Sequence, residues 1–186
     1  GESIENIFDR ADEIQAIAEG ISEVAPDIAS VKKMRKDQSA CFFGPNVIQI
    51  CQMADVVFMA LHGSNGEDGR IQAAFDLFGI KYTGTGHLSS AIAMDKEISK
   101  QFFESAKVPT PRGVVAIKDH SYLSFEETGL ALPVVVKPCC GGSSIGTTIV
   151  RKKEDYKKAL DDYVQYEERA IVEEFIKGRE FSVGVM

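Results

Sequence analysis

A glycine-rich loop between two β-branched segments constrains the fold of this chain more than any other feature. Residues 134–150 have the sequence VVVKPCCGGSSIGTTIV. Valine, isoleucine and threonine favour strands, whereas a Gly-Gly-Ser-Ser-Ile-Gly run interrupts one. The pattern therefore predicts two strands, at 132–137 and 145–150, that are joined by a flexible loop.

The residues of this loop suit the binding of a phosphate group. Successive glycines let backbone N–H groups approach an anion because no Cβ stands in the way. Lys137 supplies a positive charge at the strand end, and Ser143 and Ser144 add hydroxyl donors. The spacing differs from that of a Walker loop. Two interpretations stay open here: a flap over the phosphates of a nucleotide, or a mobile hairpin turn with a solvent-exposed lysine.

The first half of the sequence has the alternation of strands and helices that is typical of an open α/β sheet. Residues 54–61 form a nearly continuous apolar run, which predicts a buried parallel strand. The loop HGSNGEDG follows, and then a helix over 70–79 and a short strand over 80–84. Ligands of open sheets bind at the carboxyl ends of the strands. A substrate carboxylate can therefore bind to His62, at the end of the first strand, or to backbone N–H groups at the start of the following helix.

Helical periodicity and turn residues predict the remaining elements. We expect helices over 3–25, over 46–53 with Asn46 as N-cap, over 88–107 in two pieces that meet near Met94–Lys96, and over 154–168 with Tyr156, Leu160, Tyr163 and Val164 facing inward. We expect a strand from Val114, and two antiparallel strands, 169–178 and 179–186, that are joined at Gly178. The change from α/β alternation to hairpins predicts a domain boundary near 87–95.

A second group of polar residues lies in the segment 172–180, VEEFIKGRE. On a strand, Glu173 and Glu174 point to opposite faces of the sheet. A carboxylate on this strand can accept a hydrogen bond from an exocyclic amine, the N–H of Ile176 can donate to a ring nitrogen, and Glu180 can bind ribose hydroxyls. A solvated acidic strand is the alternative interpretation.

A second lysine, Lys96, occurs in the segment MDKEISK. Two lysines that converge on one polyphosphate neutralise more of its charge than Lys137 alone. The alternative is an ordinary surface lysine on a helix.

Charge and cysteine content limit the classes of partner. The chain has 28 acidic and 21 basic residues and a net charge of −7. That charge argues against nucleic acid or an anionic membrane as the main partner. No segment approaches the roughly 20 apolar residues that a membrane span needs. The four cysteines lack metal-ligand spacing, so we expect reduced thiols in a cytoplasmic protein.

Four separated motifs, in their order along the chain, resemble the D-alanine–D-alanine ligase family of the ATP-grasp superfamily. They are ALHGSNGEDGRIQAAFDLFGIKYTGTG, AMDKEISK, VVVKPCCGGSSIG and VEEFIKGREFSVGV. The resemblance implies an α/β fold, in which an N-terminal open parallel, Rossmann-like domain precedes the first, α+β half of an ATP-grasp domain. It implies domain limits of 1–88 for substrate binding, 89–172 for the central subdomain with the flap, and 173–186 for the start of the C-terminal subdomain.

The resemblance also implies roles for individual residues. Lys96 and Lys137 match the lysines that bind the ATP phosphates, Ser143 and Ser144 match the flap serines, Glu173, Ile176 and Glu180 match the adenosine-binding segment, and His62 matches the histidine near the first D-alanine. Ser143 also matches a member of a hydrogen-bonded network at the substrate site. Cys139, Cys140 and Gly141 stand where the family often has polar or charged residues.

The reaction that the resemblance implies is the ATP-dependent joining of two D-alanine molecules through an acyl phosphate, for peptidoglycan synthesis. It implies ATP and Mg²⁺ or Mn²⁺ as cofactors, D-alanine as substrate, and a homodimer. We expect the metal ligands and the family's first strand to lie outside this sequence. The alternatives are a ligase with D-lactate or D-serine as second substrate, and a non-catalytic ATP-binding module.

Overall fold

The structure is a computed structural model that describes residues 27–36, 38–118, 123–142 and 144–184. It divides into two units. Unit 1 contains the described residues of Gly1–Phe58 together with Phe75–Thr83, and unit 2 contains Met59–Ala74 and the described residues of Gly84–Met186. The helix predicted over 3–25 lies outside the described residues, and the predicted domain limits stay a prediction.

Unit 2 is built on a four-stranded antiparallel sheet. Its strands are β1 (Gly113–Ile117), β2 (Val134–Pro138), β3 (Thr148–Val150) and β4 (Arg169–Glu174), in the spatial order β1-β4-β2-β3. The pair β2–β3 is the predicted hairpin, with Val134 opposite Val150 and Val136 opposite Thr148. Because β4 pairs with both β1 and β2, it is a central strand.

Apolar side chains of one sheet face pack under helix α6 (Tyr156–Tyr163). The predicted inward face of this helix is confirmed, since Tyr156, Leu160 and Tyr163 are buried and Val164 packs against the same core. Alternate residues of β2 are buried, as expected for a strand with one face on a core. The largest fully buried side chains in this core are Val134, Val136, Val150, Leu160, Tyr163 and Val172.

Two helices precede the sheet in unit 2, as the two-piece pattern predicts. They are α4 (His87–Met94) and α5 (Lys96–Ser105). Asp95 separates them, and its Oδ1 accepts hydrogen bonds from the backbone N–H groups of Glu97 and Ile98. This is N-capping by an aspartate, which satisfies two of the four free N–H groups of α5.

Helix α3 (Arg70–Phe78) ends where glycine predicts its end. Gly79 has a φ of +67°, the left-handed conformation in which helices commonly terminate. At the other end, Gly69 has a φ of +87°, and a Cβ there would lie 2.3 Å from the carbonyl oxygen of His87. Glycine is therefore required before α3, both for the backbone angle and for the close approach.

Unit 1 differs from the prediction. It contains α1 (Ile28–Met34), α2 (Val47–Met53) and a single parallel bridge between Val57 and Tyr82. The buried strand predicted over 54–61 is wrong: Phe58 is 79% exposed, and the run pairs only through this bridge. An apolar strand is buried only where neighbouring strands or helices cover it. The described residues provide this run with a single β-bridge, so most of its side chains stay exposed.

Two smaller predictions are also wrong. Asn46 precedes α2 in the left-handed conformation, and its side chain makes no capping hydrogen bond. The strand predicted over 179–186 is absent over the described positions 179–184, where Phe181 is 74% exposed. The backbone hydrogen bonds that continue from β4 end at Phe175, whose N–H donates to the carbonyl of Pro133. None of the described helices is long and apolar enough to cross a membrane.

Candidate functional site

The glycine-rich flap, β2, β4 and the segment after β4 enclose a cavity of about 490 Å³ in unit 2. We call it the flap cavity. Every described residue that the sequence assigns to nucleotide binding lines it: Lys96, Lys137, Ser144, Glu173, Ile176 and Glu180. Ser143 lies outside the described residues. The structure thus brings together residues of three motifs that are separated along the chain, those of Lys96, the flap and the segment after β4, while the role of each residue stays a prediction.

Lys96, the first residue of α5, binds the flap through both its backbone and its side chain. Its backbone N–H donates to the carbonyl of Cys139 at 2.9 Å. Its Nζ donates to the carbonyl oxygens of Gly141, at 2.9 Å, and Cys139, at 3.3 Å. The ammonium group is therefore held at the root of the flap, on the wall of the cavity.

Lys137 and Glu173 form an ion pair on the cavity wall. In the sheet, Glu173 of β4 lies opposite Val135 of β2, so that Lys137, two residues further on, is its diagonal neighbour on the same face. The Nζ of Lys137 contacts Oε1 of Glu173. The other carboxylate oxygen, Oε2, lies 3.2 Å from the Nζ of Lys100 on α5.

A second charge cluster fixes the start of α5 to β4. The Arg169 guanidinium donates through Nη2 to Asp95 and through Nη1 to Glu97, the two residues that flank Lys96. Glu167 lies 3.9 Å from the same guanidinium and accepts a hydrogen bond from the backbone N–H of Cys140. We call these four side chains the Arg169 cluster.

Opposite charges shift the pKa values within this cluster. Burial acts to raise the pKa of Asp95, but the hydrogen bond from Arg169 and the backbone N–H groups of Ile98 and Glu97 outweigh it, so the pKa lies below its ordinary value of 3.8. The hydrogen bond to Asp95 raises the pKa of Arg169. Both groups are charged at neutral pH.

The flap backbone needs residues that tolerate positive φ. Gly141, Ser144 and Gly146 have φ values of +104°, +57° and +71°. A Cβ on Gly146 would lie 2.8 Å from the Tyr166 ring and 2.9 Å from Pro138, so only glycine fits without a shift. A Cβ on Gly141 would meet no atom within 4 Å, so there is open space beside this position.

The two flap cysteines are poor nucleophiles. Burial raises the pKa of Cys139 to about 12. Burial, followed by the nearby Glu167 carboxylate, raises the pKa of Cys140 to about 11. Because the thiolate is the reactive form, we expect both thiols to react slowly at neutral pH.

His62 lines a second cavity, of about 610 Å³, and not the flap cavity. Gly63, Ser64 and Glu67 line it with His62. Their loop is braced by the Glu67 carboxylate, which accepts from the N–H of Gly63 at 2.6 Å. We call this the His62 cavity. Five residues of the flap hairpin line both cavities: Pro138, Cys140, Gly141, Gly142 and Ile145.

Sequence reasoning missed Lys100 and Arg169. Glu173, the carboxylate partner of Lys100, and Asp95, a carboxylate partner of Arg169, lie 73 and 74 positions away in sequence, so no local pattern reveals these ion pairs. One signal was available for Lys100: it follows Lys96 by four residues, which places both on one side of a helix. Among the residues that the structure describes, no group of three or more possible metal ligands occurs.

Comparison with known protein families identifies the family of this chain. Residues 6–85 match the family description "D-ala D-ala ligase N-terminus", and residues 78–186 match "D-ala D-ala ligase C-terminus". The chain belongs to the D-alanine–D-alanine ligase family. The resemblance seen in the four motifs is thereby confirmed.

Curated D-alanine–D-alanine ligases match over the whole of this chain. The D-alanine–D-alanine ligase of Lacticaseibacillus casei (strain BL23) is 41% identical over 186 residues, which are 51% of that protein. The ligase of Pediococcus pentosaceus is 43% identical over 189 residues, or 52% of its length. The chain therefore spans about half the length of these members of the D-alanine–D-alanine ligase family.

Solved ligase structures share the fold. D-alanine–D-alanine ligase from Bacillus anthracis complexed with ATP superposes with a TM-score of 0.65 at 34% identity, covering 72% of this chain and 44% of that one. The VanG D-Ala:D-Ser ligase from Enterococcus faecalis gives 0.62 at 36% identity, covering 67% and 37%. The predicted α/β, ATP-grasp fold class is confirmed.

Proposed function

We propose that the polypeptide that carries this chain is an ATP-dependent D-alanine–D-alanine ligase that supplies D-alanyl-D-alanine for peptidoglycan precursors. The observation that carries the proposal is the flap cavity. It gathers two lysines, a glycine-rich flap and the Glu173–Glu180 segment, the set of residues assigned to ATP from sequence. A solved relative of the same fold is described as complexed with ATP.

The chemical groups that line the flap cavity suit a nucleoside triphosphate. Lys96 and Lys137 supply positive charge for phosphoryl oxygens, and the open space beside Gly141 and Gly142 lets the backbone approach them. Glu173, Ile176 and Glu180 supply acceptors and a backbone N–H for the base and the ribose. Ser143 and Ser144 add hydroxyls to the flap.

The proposed reaction has two steps. A carboxylate oxygen of the first D-alanine attacks the γ-phosphorus, the bond to the β–γ bridging oxygen breaks, and ADP and an acyl phosphate form. The amine of the second D-alanine then attacks the acyl carbon, loses a proton, and expels phosphate. Lys96 and Lys137 hold the phosphoryl oxygens, and the flap excludes water that would hydrolyse the acyl phosphate. His62 holds the first D-alanine in the adjoining His62 cavity, and Ser143 joins the hydrogen bonds at the substrate.

Family membership supports further parts of the proposal. We propose Mg²⁺ or Mn²⁺ for the complete enzyme, and assign no described residue to the ion. We also propose a homodimer, a cytoplasmic location, and the domain limits 1–88, 89–172 and 173–186. Sedimentation velocity of the native-length polypeptide tests the dimer.

The decisive experiment measures products of the native-length polypeptide with ATP, Mg²⁺ and D-alanine. We expect ADP release that depends on D-alanine, and D-alanyl-D-alanine by mass spectrometry. Lys137→Met should abolish both, whereas Lys118→Met, a change of an exposed lysine outside the flap cavity, should not. A product formed only with D-lactate or D-serine would assign a different second substrate. ATP binding without ADP release would indicate a non-catalytic module.

A further inference from the structure

Lys100 is a buried lysine whose ammonium group is fully engaged. Its Nζ donates to Oγ1 of Thr110 at 3.0 Å and to the carbonyl oxygen of Pro111, and it lies 3.2 Å from Oε2 of Glu173. Only 11% of the side chain is exposed. A buried ammonium group is stable only when it is paired and hydrogen-bonded, and this one is both.

One carboxylate therefore serves two lysines of different exposure. Oε1 of Glu173 contacts Lys137, which lines the flap cavity and is 26% exposed. Oε2 faces Lys100, which is not among the described residues that line the cavity. The Glu173 side chain, 9% exposed, thus stands between a lysine at the cavity and a lysine behind it.

The contact with Glu173 opposes the proposed task of Lys137. A phosphate that binds Lys137 must compete with a carboxylate already in contact with it. If Lys137 moves away, a buried carboxylate would lose a counter-ion, and an uncompensated buried charge is strongly unfavourable. Lys100 removes this penalty because it stays on Oε2 whichever group Lys137 contacts.

We propose that Lys100 is a positioning residue for ATP binding: the permanent counter-ion of Glu173, which frees Lys137 for the nucleotide phosphates. This inference rests on the proposed function, since it places ATP in the flap cavity. When Lys137 turns to a phosphate, Oε1 of Glu173 becomes available to accept the exocyclic amine of the base. Without Lys100, Lys137 would be the one cation on Glu173 among the residues that the structure describes.

The test compares the affinities of the native-length polypeptide for ATP and for adenosine, measured by calorimetry and by competition. Their ratio reports the contribution of the phosphates. We expect Lys100→Met to lower this ratio about tenfold or more, the effect of one lost charge-assisted hydrogen bond. Lys100→Arg, which keeps the charge, should retain most of the ratio. A purely structural defect would weaken both ligands together and leave the ratio unchanged.

A second comparison, made in the Glu173→Gln variant, tests the proposal if the Lys100→Met single variant does not fold. In Glu173→Gln, Lys137 is no longer held by a carboxylate, so adding Lys100→Met should leave the ATP-to-adenosine ratio unchanged. A tenfold fall in that background, or an unchanged ratio in folded Lys100→Met, would overturn the role of Lys100. If the unmodified protein binds ATP no better than adenosine, the proposed function itself fails.

Discussion

The ammonium group of Lys96 donates a 2.9 Å hydrogen bond to the carbonyl oxygen of Gly141, 45 residues further along the chain. It also donates to the carbonyl of Cys139. A flap that is rich in glycine has few side chains with which to fix itself, so this lysine anchors it from a neighbouring helix. Lys96 therefore has a structural role in addition to its proposed contact with phosphate.

Lys96→Met should loosen the flap. The variant loses charge-assisted hydrogen bonds at the flap root, each of which contributes roughly 1.5–3 kcal/mol. We expect the amides of residues 140–146 to exchange with deuterium about tenfold faster, as measured by hydrogen-exchange mass spectrometry. Lys118→Met is the matched control and should leave these amides unchanged. Equal exchange in the two variants would show that Lys96 does not anchor the flap.

Arg169→Met should destabilise the protein more than Arg112→Met. Arg169 is the one cation of the Arg169 cluster and faces three carboxylates, so its loss leaves Asp95, Glu97 and Glu167 repelling one another. Arg112 forms an exposed ion pair with Glu174, and such pairs contribute about 0–1 kcal/mol. We expect a loss of roughly 2 kcal/mol for Arg169→Met and less than about 1 kcal/mol for Arg112→Met in urea unfolding.

Exchanging the charges of Arg169 and Glu97 provides the control for the Arg169→Met result. Arg169→Glu places a fourth carboxylate there and should be the most destabilised single variant. Adding Glu97→Arg restores one pair of opposite charges and should recover part of the free energy of unfolding. No recovery in the double variant would mean that the loss comes from packing of the arginine and not from its charge.

The Asp95 carboxylate should contribute to stability at neutral pH and not in acid. Its pKa is lowered on folding, so the unfolded chain binds the proton more tightly, and the contribution is complete above the ordinary value of 3.8. It disappears as the pH falls through the lower, folded-state pKa. Asp95→Asn should therefore be less stable than the unmodified protein at pH 7, and the difference should shrink below about pH 4. Urea unfolding at several pH values measures it.

The cysteines should differ strongly in reactivity. Cys41 is exposed, whereas Cys139 is buried with a pKa of about 12 and Cys140 has a pKa of about 11. At pH 8 only about one Cys140 side chain in a thousand is a thiolate. Mass spectrometry after iodoacetamide treatment should show modification of Cys41 well before Cys140, and none of Cys139. In denaturant all four should react. Modification of Cys140 at the rate of Cys41 would contradict the assigned pKa.

Local sequence signals predicted the elements that carry the candidate site. The β-branched runs around the flap pair as β2 and β3, and the interruption near Asp95 separates α4 from α5. Alternation on β4 predicts that Glu173 and Glu174 point to opposite faces of the sheet, and in the structure Glu173 is buried whereas Glu174 is half-buried. These features depend on residues that are near in sequence, which is why a single sequence reveals them.

The failures have a different physical origin. The apolar run 54–61 and the segment 179–184 would be strands only beside a continuous partner strand, and the described chain supplies little pairing to either. The roles of Lys100 and Arg169 depend on contacts across more than 70 positions. Strand propensity and charge do not encode such partners, so these predictions required the tertiary structure.

The flap hairpin is a wall common to the flap cavity and the His62 cavity. A ligand that moves this hairpin toward one cavity would enlarge the other. The two binding events would then change each other's free energy by equal amounts. Binding of a compound in one cavity is therefore best measured with the other cavity both empty and filled.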